Sequence, residues 1–149
     1  MKHVFVRLTS QLQSKGVWHE VLHHTPVYTS EQASQVRQVP LKTGVKAMVL
    51  KSPKGYLLVL VRADKRVDLK LVKELEKSKV RLATPSEVLQ ATGCEIGSVP
   101  PFGFKAPLKT YLDRALLEEE KVTFNAGLHT VSVVMKGPDL PKAVDAILF

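Results

Sequence analysis

Val45-Lys46-Ala47-Met48-Val49-Leu50-Lys51 and Tyr56-Leu57-Leu58-Val59-Leu60-Val61-Arg62, joined by Ser52-Pro53-Lys54-Gly55, read as the two arms of a β-hairpin. Both arms are rich in β-favouring residues, and the connection has the length and chemistry of a hairpin turn. This hairpin is the centre from which the rest of the fold is placed.

On its N-terminal side, Val4, Leu8 and Leu12 recur every four residues, which predicts an amphipathic helix over 3–15 that stops at Lys15-Gly16. Val17 to Leu22 reads as a strand, broken by Thr25-Pro26-Val27-Tyr28, and Thr29 or Ser30 caps a helix through about Val39. Pro40 to Gly44 is a loop. On the C-terminal side, Asp68 begins a helix through Glu76, and Val80 to Ala83 is a short strand. Thr84-Pro85-Ser86-Glu87 combines a capping threonine, a proline at the first helical position and a glutamate three residues after the cap, so a helix runs to Ala91 before Gly93 stops it. Thr110 to Asp113, Lys121 to Asn125 and Thr130 to Lys136 read as strands, Glu118 to Glu120 as a solvated turn, and Pro138 to Leu148 as a closing helix. Helices and strands mingle without a βαβ rhythm, which gives the α+β class.

The 149 residues are enough for one domain, 1–149, that buries about two-thirds of its extended surface. With 44% hydrophobic and 24% charged residues the chain has ordinary globular composition rather than that of a disordered one. The longest apolar run, Tyr56 to Val61, is too short to span a bilayer, and Met1-Lys2-His3-Val4 opens no signal peptide; a cytoplasmic protein is expected. A net charge of +8 attracts polyanions and makes nucleic acid a plausible partner.

Gly97-Ser98-Val99-Pro100-Pro101-Phe102-Gly103 is dense in residues that fix a loop backbone and let a ligand approach main-chain N–H groups, and Asn125-Ala126-Gly127-Leu128-His129 follows it. The familiar alternatives lack their parts: there is no GxSxG elbow, Walker loop, HExxH or dinucleotide fingerprint. His23 and His24 point to opposite faces of a strand, and Cys94, a single cysteine, reads as a small, partly buried side chain, so neither metal nor cofactor is expected.

Taken in order, the motifs resemble the YbaK/prolyl-tRNA synthetase editing-domain superfamily of aminoacyl-tRNA deacylases. They are His24-Thr25-Pro26-Val27-Tyr28-Thr29, Gly44 to Leu50, Asp68-Leu69-Lys70, Ala83 to Glu87, Thr92 to Gly97, Val99 to Gly103, Tyr111-Leu112-Asp113 and Asn125-Ala126-Gly127, which together cover nearly the whole chain. The resemblance implies a curved, mixed, barrel-like sheet flanked by helices. It implies that Lys46 matches the lysine that family members need for activity. Gly97, Pro101 and Gly103 match the loop that closes the acyl pocket, Gly127 matches a second glycine element, and His129 matches the histidine of the synthetase-inserted branch. Leu22 departs from the tyrosine of some cysteine-editing members.

An aminoacyl ester is already activated, so orienting it and stabilising its oxyanion suffice for hydrolysis. Loop N–H groups between Gly97 and Gly103 suit the oxyanion, and Lys46 suits the terminal phosphate or ribose of a tRNA. Phe102, Met48, Val131 and Asn125 are the candidates to shape or line the acyl pocket, with core packing as the equal alternative for Met48 and Val131. The expectation is a free-standing, metal-independent deacylase acting in trans on alanyl- or cysteinyl-tRNA for proline, with an aminoacyl-tRNA synthetase as a possible partner. The alternatives are a non-catalytic tRNA- or synthetase-binding module with the same fold and a basic protein that binds nucleic acid without selectivity.

Overall fold

The computed structural model describes residues 2–149. Helix α1 (Lys2–Ser14) buries Val4, Leu8 and Leu12, the stripe spaced by four, and hands the chain to β1 (His19–His23). Helix α2 (Ser30–Arg37) starts at a complete capping box, with the Thr29 hydroxyl accepting from the Gln32 N–H and the Gln32 side chain returning to the Thr29 N–H; Gln38 closes it in the left-handed conformation. The hairpin follows as β2 (Val45–Ser52) and β3 (Gly55–Arg62), in register from Val45 opposite Arg62 to Ser52 opposite Gly55.

Helix α3 (Leu69–Glu76) is capped by Asp68, β4 (Arg81–Leu82) is short, and α4 (Pro85–Thr92) carries the second capping box, Thr84 with Glu87, ending at left-handed Gly93. Strands β5 (Lys109–Leu112), β6 (Lys121–Asn125) and β7 (Val131–Lys136) complete the regular region. The expected closing helix over 138–148 is not formed. A 3₁₀ turn at Gly137–Asp139 leads into one turn of helix, α5 (Leu140–Ala143), and the chain then extends as β8 (Ile147–Leu148). Beside it, β5 offers an open parallel edge: Ile147 and Leu148 pair with Tyr111 and Leu112, and the Phe149 N–H donates to the Leu112 carbonyl at 3.0 Å. Satisfying that edge outweighs continuing a helix in which Pro141, past the first positions, would lack an N–H to donate.

The strands form two sheets, β1-β7-β6, wholly antiparallel, and β4-β2-β3-β5-β8, mixed. The single barrel-like sheet is therefore corrected: no closed barrel forms, and one parallel bridge, Gly44 with Thr123, joins the sheets. Leu57 to Val61 of β3 are all buried because both faces of the larger sheet are covered. One core, including Leu8, Leu58, Leu60, Phe124 and Met135, fills the space between the sheets and α1, and a smaller one, including Leu57, Val59, Val72 and Tyr111, lies on the far face under α3.

Candidate active site

Beyond the Gly44–Thr123 bridge, β2 and β6 pair no further, and β4 covers β2 only at Leu50 and Lys51. The β2 edge over residues 45–48 is thus left open, and a cavity of about 340 Å³ lies along it. The cavity is walled by β2, by α2 with Ala33, Ser34 and Arg37, by Gly97 and Val99, and by Thr123 and Asn125 of β6. This volume suits a small ligand rather than a polymer segment.

Lys46 lines the mouth, and its ammonium donates to the Lys65 carbonyl. Burial, then the charge of Arg66, hold the Lys46 ammonium below the ordinary lysine range. Gly97 has φ +87°, and a Cβ there would stand 3.1 Å from the Tyr28 carbonyl oxygen, so the wall is closed by a residue without a side chain. The N–H groups of Gly97 and Val99 have no protein acceptor among the described residues, whereas the Ser98 N–H donates to the Glu95 carbonyl at 3.0 Å. Of the loop, Gly97 and Val99 are the two residues that line the cavity, so theirs are the N–H groups nearest a ligand held there.

The remaining sequence candidates divide. Asn125 lines the cavity, and its amide Nδ2 donates to the Gly97 carbonyl at 2.7 Å, tying the loop to β6. Met48 lines it too, and Val131 does not. Gly127 lies outside the cavity and holds the loop from behind, its N–H donating to the Ser98 carbonyl at 3.0 Å. His129 is also outside: its Nδ1 donates to the Val27 carbonyl, its Nε2 faces Glu95 at 3.2 Å, and its ring packs on Tyr28 at 4.5 Å. Pro101, Phe102 and Gly103 turn away from the cavity. Phe102 is buried edge-on against Phe124, and Gly103 packs on α1, where Arg7 Nε donates to its carbonyl. Their place in a Gly/Pro-rich loop reflects close packing of backbone on a helix, the other use of glycine besides ligand approach.

Sequence reasoning missed Arg37. From the last turn of α2 its Nε donates to Ser132 Oγ at 2.9 Å, and its terminal nitrogens to Thr123 Oγ1 at 3.1 Å and Asn125 Oδ1 at 2.9 Å. Burial lowers the guanidinium to about 10, which leaves it charged at neutral pH. A signal was present: Thr123, Asn125 and Ser132 are polar positions alternating with the apolar Val122, Phe124, Val131 and Val133, so the polar face of the small sheet needed a donor over it. Cys94 is fully buried, and burial pushes its thiol up. Among the described residues, no group of three or more His, Cys, Asp and Glu side chains converges to hold a metal ion. None of the described helices is long and apolar enough to cross a membrane.

Comparison with known proteins matches residues 24–143 to the aminoacyl-tRNA editing domain. The chain is 36% identical over 140 residues to the multifunctional Ser/Thr-tRNA deacylase ProXp-y of Escherichia coli, covering 89% of this chain and 83% of that protein. It is 38% identical over 95 residues to the proline–tRNA ligase of Bacillus subtilis, 62% of this chain against 17% of the ligase. Among solved structures, a candidate trans-editing enzyme for prolyl-tRNA synthetase superposes with a TM-score of 0.85 at 30% identity, over 98% of this chain and 94% of the other.

Proposed function

The chain belongs to the aminoacyl-tRNA editing-domain family, and on that footing we propose that it hydrolyses the ester of mischarged tRNA in trans. The observation that carries this reading is the cavity itself, with a cation at its mouth and two unengaged N–H groups in its wall. In the proposed reaction Lys46 holds the terminal phosphate or ribose, which sets the acyl group into the cavity. Water adds to the carbonyl carbon, and the N–H groups of Gly97 and Val99 receive the oxyanion. The bond from carbonyl carbon to ribose oxygen then breaks, the ribose oxygen takes the proton that water gives up, and a free amino acid and uncharged tRNA leave. The roles assigned to Asn125 and Gly127 are to fix the loop, and that of His129 is to fix Tyr28 behind it.

The substrates proposed are small acyl groups, because a synthetase discriminates near-isosteres by only about 1–3 kcal/mol and leaves them to a second pocket. Alanyl- and cysteinyl-tRNA for proline remain candidates, and likeness to the E. coli deacylase adds seryl- and threonyl-tRNA. Likeness to the candidate trans-editing enzyme for prolyl-tRNA synthetase supports action in trans. The proposed partners are charged tRNA and a synthetase that releases it, with the cytoplasm as the compartment.

The test is a panel of one tRNA charged in turn with alanine, cysteine, serine and threonine, incubated with the protein with and without excess EDTA. Turnover of at least one ester, unchanged by EDTA, is expected. Binding of charged tRNA without turnover would instead mark a module that kept the fold and not the chemistry.

A further inference from the structure

Arg37 is a cation without an anion. None of the ion pairs among the described residues includes it, and its three hydrogen-bond acceptors, Ser132, Thr123 and Asn125, are neutral. Of the five N–H groups a guanidinium carries, three are used, which leaves one on each terminal nitrogen. Those acceptors are themselves committed. Asn125 Nδ2 is bound to the Gly97 carbonyl, so its Oδ1 faces Arg37; His24 Nδ1 donates to the Thr25 carbonyl, so His24 Nε2 takes the Ser132 hydroxyl proton at 2.7 Å. The Thr123 hydroxyl accepts from Arg37 and has no acceptor for its own proton among the described residues. The cavity lining around Arg37 is therefore rich in donors: it contains no carboxylate, and besides Asn125 and the apolar Ala33, Ala47, Val49 and Val99 it offers only hydroxyl groups, among them that of Ser34.

We infer that Arg37 is a specificity-determining residue that selects acyl groups carrying a side-chain oxygen over alanyl and cysteinyl groups. The inference rests on the proposed esterolysis and adds to it which residue reads the acyl group. Lys46 and Arg37 both line the cavity, Lys46 on β2 and Arg37 held over the buried Thr123 and Ser132; with Lys46 taking the tRNA end in the proposed reaction, the acyl side chain is the part of the substrate assigned to Arg37. The α-ammonium of the aminoacyl group is repelled by the guanidinium and lies away from it. A serine or threonine hydroxyl accepts from the free N–H groups. An alanyl methyl leaves these donors without a partner after their water is displaced, and a cysteinyl thiol is a weak acceptor.

The test uses the full chain and one tRNA body charged with serine, alanine or cysteine, so that tRNA recognition cancels in the ratios. The wild type is expected to have a kcat/KM for the seryl ester roughly 10- to 100-fold above that for the alanyl ester. Arg37→Met, which keeps the aliphatic stem, is expected to lower the seryl value by that factor and leave the alanyl value within about threefold. Thr123→Val, with its similar shape, is expected to shift the same ratio in the same direction by a smaller factor. Equal seryl and alanyl rates in the wild type overturn the inference whatever the variants do. So does an Arg37→Met protein with native circular dichroism whose seryl and alanyl rates fall together. Absence of turnover on every ester counts instead against the proposed esterolysis.

Discussion

Gly103 lies flat against Leu8: a Cβ on Gly103 would stand 2.9 Å from the Leu8 Cβ and 3.1 Å from its Cα, and Gly103 holds φ +101°. The glycine is what lets the loop backbone rest on α1 while Arg7 Nε bonds its carbonyl at 3.0 Å. Gly103→Val is therefore expected to act on stability, through both the contact and the dihedral, by about 3 kcal/mol. Thermal unfolding should show a fall of roughly 6–12 °C. Gly55→Ala, at a positive φ with open space around it, should cost less. A Gly103→Val protein that melts with the wild type would place the residue outside the core contact.

Lys46→Ala should abolish deacylation with a melting temperature within about 4 °C of the wild type, since a half-buried lysine at an open strand edge contributes little to folding. The same residue sets an alkaline limit. Its pKa is depressed by burial and by Arg66, and the protonated form is the one proposed to hold the tRNA end. Activity should fall as pH rises through a value below that of an ordinary lysine. Arg66→Gln, which removes a neighbouring positive charge, should move that limb upward.

The buried carboxylate of Glu76 accepts from Lys109 Nζ and from the Tyr111 hydroxyl, each at 2.6 Å. Burial alone would raise its pKa, but the two hydrogen bonds outweigh it and hold the group below its usual 4.5. A depressed folded pKa contributes stability that is present above 4.5 and is lost as pH falls through the folded value. Glu76→Gln should destabilise by about 1–3 kcal/mol near neutral pH, and the gap to the wild type should narrow in acid. A gap that stays constant down to acid pH would exclude the ionised carboxylate as its source.

His129 packs behind the cavity wall rather than in it, so His129→Ala should lower kcat/KM for every aminoacyl ester by a similar factor. A change confined to one acyl group, read from the same charged-tRNA panel, would show that the ring reaches the substrate.

The elements legible in the sequence are those whose cause is local. The hairpin was visible because both strands and their turn lie within 18 consecutive residues, Val45 to Arg62. Helices α2 and α4 were visible because a cap satisfies backbone donors three residues away, and α1 because its stripe recurs every turn. Lys46, Gly97 and Asn125 were legible by resemblance, and all three line the cavity.

What tertiary structure alone decided is set by partners far apart in the chain. Strand β8 replaces a helix because β5, 36 residues earlier at Tyr111 against Ile147, leaves an edge to be paired. The barrel stays open because β2 and β6 share one bridge, and that opening is the cavity. Pro101, Phe102 and Gly103 have the composition of a ligand loop, yet only the packing of α1 and Phe124 shows which way they face. Arg37 is one arginine among many in a basic chain until Thr123, Asn125 and Ser132 are brought within hydrogen-bond distance of it. Periodicity and capping are short-range and written in neighbouring residues, whereas the wall of a cavity is assembled from side chains whose proximity is created only when the sheets meet.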